Sequence, residues 1–290
     1  MKRERAHSMH GYGLRVPHYD TLLERGARGD LFEVISENFL GRGGRARSLL
    51  HSVRRDAHIA LHGVSLSLGG CNPLSETYLD ALDALQREIE PLHISDHACF
   101  GTVGGHHGHD LWPLPYTEEA IAHVAERITR VQERLKQRIL IENVSSYISY
   151  RDSEMSEHEF MVALLERADC FMLLDVNNIV VNAKNHGISA DEYIQSIPVE
   201  RVAQLHLAGH TDLGTHAIDD HGSPVPPAVW SLYDQVVARF GRVPAIIEWD
   251  ENVPTLDALE EQSAMARARE QSMLSRLVTL DEKPREATCN

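Results

Sequence analysis

The amino-acid sequence predicts a single-domain α/β fold, the (β/α)8 barrel or TIM barrel, from three observations. The chain has 290 residues, and single barrels commonly have about 250 residues. Short β-rich segments alternate with helical patterns, as expected of βαβ units. His and carboxylate residues recur at the ends of these segments, where a barrel builds its active site.

Eight segments have the largely apolar composition of strands that are covered on both faces. They are residues 11–16, 31–36, 58–65, 92–98, 139–143, 170–176, 202–208 and 245–249. Eight such strands agree better with a closed barrel than with an open sheet.

Between the strands, apolar residues recur at the three- and four-residue spacing of helices that pack on a sheet. The clearest pattern runs from Leu79 through Leu82 and Leu85 to Ile89, and residues 228–240 form another predicted helix. Residues 101–116 are rich in His and Gly and are predicted to be a long loop. We expect one domain over residues 1–277 and a flexible tail over residues 278–290.

Composition excludes several classes of protein. The 28 Lys and Arg residues against 43 Asp and Glu give a net charge of -15, which argues against nucleic acid as a partner. The chain has no run of about 18 apolar residues and no apolar segment after its charged N-terminus, so neither a membrane span nor secretion is expected. The four cysteines form no CxxC pair, and a cytoplasmic location fits best.

The 18 histidines are many for this length and prompt a search for metal ligands. Six consecutive strands carry a ligand-type residue at or near their ends, and two more lie in the loop after the seventh strand. They are His62, His97, Glu142, Asp175, His206 and Glu248, then Asp219 and His221. Imidazoles and carboxylates together suit zinc, iron or manganese. An ionised carboxylate such as Glu142 in an apolar strand would be costly to bury without a cation.

Structural interpretations compete with this one. A single strand-end His is more often a hydrogen-bonded structural group than a ligand. Asp175, followed by Asn177 and Asn178, is equally consistent with a cap on the next helix. Eight other histidines are interpreted as solvated loop residues (His106, His107 and His109) or as surface and packing residues on helices or loops (His10, His18, His51, His123 and His158).

Several sequence strings together resemble one family closely. They are Phe32-Glu-Val-Ile-Ser-Glu-Asn-Phe39, His93-Ile-Ser-Asp-His97, Ile141-Glu-Asn-Val-Ser-Ser-Tyr147, Leu174-Asp-Val-Asn-Asn178, Val181-Asn-Ala-Lys-Asn-His-Gly187 and His206-Leu-Ala-Gly-His210. The family is the multinuclear non-heme iron-dependent oxidative enzymes, which includes the methanobactin-biosynthesis oxidase and an enzyme of thiaglutamate biosynthesis. The resemblance implies a TIM barrel, two or three iron ions, and O2-dependent modification of a ribosomally made precursor peptide, commonly at cysteine.

The wider superfamily of xylose-isomerase-like barrels includes trinuclear zinc apurinic endonucleases, and similarity to them implies a ligand assignment. His62, His97 and Glu142 would hold one ion. Glu142 would bridge to a second ion, which is held also by Asp175, His206 and Glu248. The third ion would be held by Asp219, His221 and Asn178. Since the zinc nucleases carry a histidine where this chain has Asn178, we expect that third site to be weaker.

Other residues at the strand ends are expected to support the site. Asp96 and His210 are interpreted as groups that orient imidazoles, Asn143 as another supporting group, and Glu37, Asn38 and Asn143 as candidates for lining a substrate pocket. The family resemblance also implies a small partner protein that recognises the leader of the peptide. Two alternatives remain: a zinc- or manganese-dependent hydrolase or isomerase with the same barrel, and a metal-binding scaffold without activity.

Overall fold

A computed structural model of the chain describes residues 9–41, 43–104 and 106–281. The described strands are listed in chain order as β1 (His10–Gly13), β2 (Leu31–Ile35), β3 (His58–His62), β4 (His93–His97), β5 (Cys99–Val103), β6 (His106–Pro113), β7 (Leu140–Glu142), β8 (Phe171–Asp175), β9 (Val202–Leu207), β10 (Thr211–Asp212), β11 (Ala217–Ile218) and β12 (Ala245–Ile247).

Eight of these strands close a parallel barrel in the order β1-β12-β9-β8-β7-β4-β3-β2. They correspond one to one to the eight predicted segments, so the prediction of a single-domain (β/α)8 TIM barrel is confirmed. All eight barrel strands end before the predicted residue, by three residues at β1 and β3 and by one or two at the others. Strand β1 ends at Gly13 rather than at residue 16, because a 3-10 helix with Pro17 in its first turn begins at Val16.

Helices cover the outside of the barrel. They are α1 (Tyr19–Arg25), α2 (Gly44–Asp56), α3 (Glu76–Ile89), α4 (Glu118–Leu135), α5 (Glu157–Ala168), α6 (Val176–His186), α7 (Ala190–Ser196), α8 (Pro227–Phe240) and α9 (Leu256–Asp281), with 3-10 helices at Val16–His18 and Ser36–Phe39. The predicted apolar stripe of α3 is buried against the barrel. In the described chain, no helix is both long and apolar enough to cross a membrane.

The segment at residues 101–116 is not the long loop that the sequence predicted. Strands β5 and β6 pair antiparallel there as a hairpin, with an irregular register between Phe100 and Thr102. Gly104 adopts a φ of 58° at the turn, a conformation that glycine adopts without the strain imposed by a Cβ atom. The high Gly and His content had indicated a loop, but it does not prevent cross-strand pairing.

Helix α9 ends at Asp281. Most of the predicted tail, residues 282–290, lies outside the described part of the chain, so a flexible tail stays a prediction. One prediction about a histidine needs correction. His10 is not on a helix or loop: it begins β1 and is fully buried. Its Nε2 lies 3.3 Å from the hydroxyl of Tyr233, so it is a packed residue at the N-terminal end of the barrel.

The strand register positions the candidate ligands. His97 pairs with Glu142, Asp175 pairs with His206, and His62 pairs with Ser95. Because the strands are parallel, these residues lie side by side at the same end of the barrel. The C-terminal mouth of the barrel is therefore the place where His and carboxylate side chains meet.

Candidate metal centre

The first group of possible ligands consists of His62, His97 and Glu142, all buried. The Nε2 atoms of both histidines point to the same carboxylate oxygen, Oε2 of Glu142, at 3.4 Å from His62 and 3.3 Å from His97. The two rings are edge to face, with centroids 4.6 Å apart. Ring nitrogens and a carboxylate that converge in this way are arranged around one common point.

The other ring nitrogens of these histidines face groups that fix their orientation. His97 Nδ1 lies 3.1 Å from the carbonyl oxygen of Gly63, which can only accept, so Nδ1 carries a proton and donates. In the neutral ring the Nε2 lone pair then faces Glu142. His62 Nδ1 lies 2.8 Å from the hydroxyl of Ser95. A lone pair beside a carboxylate oxygen is repulsive unless a proton or a metal ion lies between them.

The second group consists of Glu142, Asp175, His206 and Glu248, and it shares Glu142 with the first. His206 Nδ1 lies 2.9 Å from Glu248 Oε2, 3.4 Å from Glu142 Oε1 and 3.8 Å from Asp175 Oδ2. The imidazole is fully buried, and these three carboxylates surround its Nδ1. Glu142 therefore directs one oxygen to each of the two groups.

Asp175 combines the two roles that the sequence left open. Its Oδ1 accepts a hydrogen bond of 2.6 Å from the backbone N–H of Asn178 and so caps helix α6. Its Oδ2 is buried and has no hydrogen-bond partner among the described residues. Oδ1 therefore caps the helix, while Oδ2 is free to bind a metal ion in the cluster.

A third group consists of His221, Glu248 and Asp250. His221 Nδ1 lies 3.3 Å from Glu248 Oε2 and 3.6 Å from Asp250 Oδ2. The opposite ring nitrogen, Nε2, lies 2.7 Å from Asp219 Oδ1. Asp219 thus contacts the nitrogen of His221 that points away from Glu248. Asp250 belongs to this group, although the sequence analysis did not identify it as a ligand.

The residues of the cluster fit bound cations. Three buried oxygens of these residues have no hydrogen-bond partner in the described chain: Glu142 Oε2, Asp175 Oδ2 and Asn178 Oδ1. Unsatisfied buried polar atoms are costly, and the two carboxylates belong to one group of possible ligands. Coordination to metal ions would satisfy them together. Imidazole and carboxylate ligands without thiolate suit iron, manganese or zinc.

The pKa shifts within the cluster also indicate a site that fits bound cations. Burial and the nearby Glu142 raise the pKa of Asp175 well above its usual range. Burial, reinforced by His97, lowers the pKa of His62 to about 3. Without a cation, these shifts favour the protonated carboxyl of Asp175 and the neutral imidazole of His62, while the surrounding carboxylates, despite burial, raise the pKa of His97 to about 9 and that of His206 well above its usual range. A metal ion takes the place of such protons and favours the ionised carboxylate and the neutral imidazole.

Two asparagines connect the ends of β7 and β8. The side chain of Asn143 accepts from the backbone N–H of Asp175 at 2.9 Å and donates to its carbonyl at 3.0 Å. The amide group of Asn178 donates to the carbonyl of Asn143 at 3.0 Å, and its buried Oδ1 has no hydrogen-bond partner in the described chain. Asn143 therefore positions Asp175, and its amide is occupied by the backbone.

The other predicted supporting residues lie close to the cluster. The Oδ1 of Asp96 accepts from the backbone N–H of His97 at 2.8 Å, while the imidazole of His97 is 3.9 Å away. His210 Nδ1 lies 2.7 Å from the amide oxygen of Asn177, and the amide of Asn177 donates to Asp219 at 2.8 Å. His210 thus reaches the cluster through Asn177.

Glu37 and Asn38, the predicted pocket residues on the 3-10 helix after β2, do not belong to the ligand groups. Glu37 Oε1 accepts from the hydroxyl of Tyr78 at 2.7 Å and from the backbone N–H of Val64 at 3.0 Å. Asn38 is exposed. His106 lies on strand β6, as do the backbones of His107 and His109, and no group of possible ligands in the described chain includes His106.

Sequence reasoning missed two residues that contact the ligands. Glu33 Oε1 lies 2.8 Å from His206 Nε2, and Arg15 Nη2 lies 3.3 Å from Glu248 Oε1. Glu33 lies in the interior of the apolar strand β2, and a fully buried carboxylate in such a strand is the signal that could have indicated it. Arg15 gave no comparable signal, because its partners follow a strand more than 200 residues later.

Relatives of the chain cover nearly its whole length. A protein of Anaeromyxobacter sp. (strain Fw109-5) is 52% identical over 268 residues, which are 92% of this chain and 95% of the relative. A protein of Acaryochloris marina is 46% identical over 256 residues, 88% of this chain and 92% of the relative. Both are described as UPF0276 proteins, a designation that states no activity.

Solved structures with the same fold are more distant in sequence. An L-ribulose 3-epimerase matches with a TM-score of 0.59 at 14% identity and covers 97% of this chain and 100% of its own. Endonuclease IV from Thermus thermophilus matches with a TM-score of 0.57 at 14% identity, covering 92% and 99%. At this identity the likeness shows the fold alone. A family model described as "RiPP precursor modification enzyme MbnB/TglH/ChrH" matches residues 9–271, and the chain belongs to this family of enzymes that modify ribosomally synthesised precursor peptides.

Proposed function

We propose that the protein is a multinuclear iron-dependent oxidase that uses O2 to modify a cysteine residue of a ribosomally synthesised precursor peptide. The observation that carries the proposal is the sharing of carboxylates between neighbouring groups of ligands. Glu142 belongs to the first and second groups, and Glu248 belongs to the second and third. Shared carboxylates support adjacent ions rather than isolated ones, and membership of the family supports a peptide as the substrate.

The chain's own residues would hold and orient the ions. His62, His97 and Glu142 would hold one ion, and Glu142, Asp175, His206 and Glu248 a second. A third would be held at His221, by Glu248 and Asp250 beside its Nδ1 or by Asp219 beside its Nε2, and similarity to the zinc nucleases adds Asn178. Iron bound there would supply the electron transfer between a substrate thiolate and O2 that the side chains of this cluster cannot perform.

The surface around the barrel mouth suits a peptide. Exposed apolar side chains follow the C-terminal ends of several strands: Val64 after β3, Trp112 on the hairpin after β4, Tyr147 and Ile148 after β7, and Leu213 after β9. Because they follow the same ends of parallel strands, we expect them on one side of the barrel, and exposed apolar groups on one side are typical of a binding surface. They would contact residues on both sides of the cysteine, and a small partner protein would recognise the leader of the peptide.

The test is oxygen uptake by protein that has been purified and loaded with Fe²⁺ without air. We expect two to three equivalents of iron, and O2 consumption that requires a Cys-containing precursor peptide encoded near this gene. The same peptide with Ser in place of Cys is the control and should give no uptake.

The alternative function is a zinc- or manganese-dependent hydrolase or isomerase on the same barrel. Zinc-loaded protein that hydrolyses a phosphodiester or isomerises a sugar, with no O2 uptake from the iron-loaded form, would overturn the oxidase. Stable metal binding with no reaction of any of these substrates would favour a scaffold.

A further inference from the structure

Arg15 lies directly beside the carboxylates that follow β12. Strand β1 pairs with β12, with Tyr12 opposite Ile247, so residues just after β1 lie beside those just after Ile247. The side chain of Arg15 is only 10% exposed. A guanidinium so deeply buried must be paired with acceptors. Apart from the carbonyl of Leu14, its acceptors are carboxylates of the metal centre, Asp250 and Glu248.

The guanidinium joins Asp250 to Glu248. Its Nε donates to Asp250 Oδ1 at 2.6 Å, and its Nη2 contacts the same oxygen and also Glu248 Oε1 at 3.3 Å. Glu248 is thereby divided: Oε1 faces Arg15, while Oε2 faces His206 at 2.9 Å and His221 at 3.3 Å. Arg15 thus leaves Oε2 as the Glu248 oxygen that points to the ligand groups.

The backbone is arranged to hold Arg15 in this position. Its N–H donates to His18 Nδ1 at 3.4 Å, and His18 Nε2 lies 3.0 Å from the carbonyl of Pro254, beyond β12. A Cβ atom at Gly13 would lie 2.7 Å from Arg15 Nη1 and 3.2 Å from its Cζ. The guanidinium therefore folds back over a position where only glycine leaves room for it.

The segment after β12 that contains Asp250 also contacts His221. The carbonyl of His221 accepts from the backbone N–H of Asp250 at 2.8 Å. His221 has a φ of 43°, a left-handed conformation that costs a residue with a Cβ atom about 1 kcal/mol. Asp250, which Arg15 holds, therefore contacts both the backbone and the ring of His221.

We propose that Arg15 is a positioning residue that holds Glu248 and Asp250 and makes the His221 group the weakest cation site of the centre. A fixed positive charge repels a nearby divalent ion. It also occupies one oxygen of Glu248 and one of Asp250, which an ion would otherwise use as ligands. The inference rests on the metal centre of the proposed function, but not on iron, O2 or a peptide.

The test is a titration of the metal-free full-length protein with Mn²⁺ alone, in wild type and in three variants. Arg15→Gln should tighten the weakest Mn²⁺ site at least about tenfold and change the tighter sites less than about threefold. Arg15→Lys keeps the charge and should stay closer to the wild type. Gly13→Ala displaces the guanidinium and should shift the weakest site in the direction of Arg15→Gln.

A second readout covers the case in which a variant is unstable without metal. The rise in Tm on adding saturating Mn²⁺ should be larger for Arg15→Gln than for wild type, because the ion replaces the lost positive charge. A weakest site that is unchanged or weaker in Arg15→Gln, while wild type binds two or more ions, would overturn this inference alone. Wild-type protein that binds neither Mn²⁺ nor Fe²⁺ would overturn both this inference and the proposed function.

Discussion

Glu33 Oε1 lies 2.8 Å from His206 Nε2, and both side chains are buried inside the barrel. The carboxylate is fixed from the other side by Gln204, whose amide donates to Glu33 Oε2 at 2.5 Å. A carboxylate on one ring nitrogen directs the other nitrogen to the metal and makes it more basic. Glu33 thus directs His206 Nδ1 to Glu142, Asp175 and Glu248.

Replacing the Glu33 carboxylate should weaken metal binding by the second group of ligands. Glu33→Gln is expected to lower metal affinity about 10- to 100-fold, the usual effect of losing such an orienting partner. Equilibrium titration with a competing chelator measures it. The matched control is Glu88→Gln, since Glu88 pairs with Arg47 on the helices outside the barrel. Equal affinities in the two variants would show that Glu33 does not orient His206.

Loss of the shared carboxylate should affect two ions together. Glu142→Gln is expected to reduce bound metal by one to two equivalents, because Glu142 belongs to both the first and the second group. Glu157→Gln is the control: it also removes a buried carboxylate, but one bonded to Tyr193 and Asn182 outside the ligand groups. Metal analysis after desalting compares them. Full metal content in Glu142→Gln would contradict the shared role.

Glu157 also predicts a pH dependence of stability. Burial raises its pKa to about 7 from the ordinary value of 4.5. Between these values the folded protein holds a proton that the unfolded chain releases, so its contribution is greatest below pH 4.5 and is lost as pH rises through 7. Wild type should therefore lose up to about 3 kcal/mol relative to Glu157→Gln over this window. Urea unfolding at several pH values tests it, and parallel curves would contradict it.

Tyr147 supports the third group from the loop after β7. Its hydroxyl accepts from the backbone N–H of Asp219 at 2.9 Å, and Asp219 contacts His221. Tyr147→Phe removes one hydrogen bond of about 1 kcal/mol and should weaken the weakest ion up to about fivefold. Isothermal titration resolves this change. An equal loss at every site would indicate a general disturbance rather than a local one.

The sequence predicted the barrel and most members of the candidate ligand groups because both follow from local pattern. Eight strand segments were recognisable, and the rule that barrel chemistry lies at strand ends selected His62, His97 and Glu142 without knowledge of contacts. The hairpin at residues 101–116 was missed, since Gly and His content does not distinguish a loop from a short irregular ribbon.

Residues that act through tertiary contact were not predictable in this way. Glu33 lies in mid-strand, and its role depends on the closure of β2 and β9 into one barrel. Asp250 was visible after β12, but its contact with His221 depends on the left-handed backbone at His221 and on Arg15, which comes from the other end of the chain. Sequence spacing alone favoured Asp219, two residues before His221.

Anomalous diffraction at the iron and zinc edges, from crystals of protein loaded with Fe²⁺ without air, would show whether ions bind on both sides of the shared carboxylate. We predict one iron peak on each side of Glu142, the first bordered by His62 and His97 and the second by Asp175, His206 and Glu248. A weaker third peak should lie beside His221. Iron peaks that lie away from Glu142, or none at all, would contradict a multinuclear iron centre at the barrel mouth.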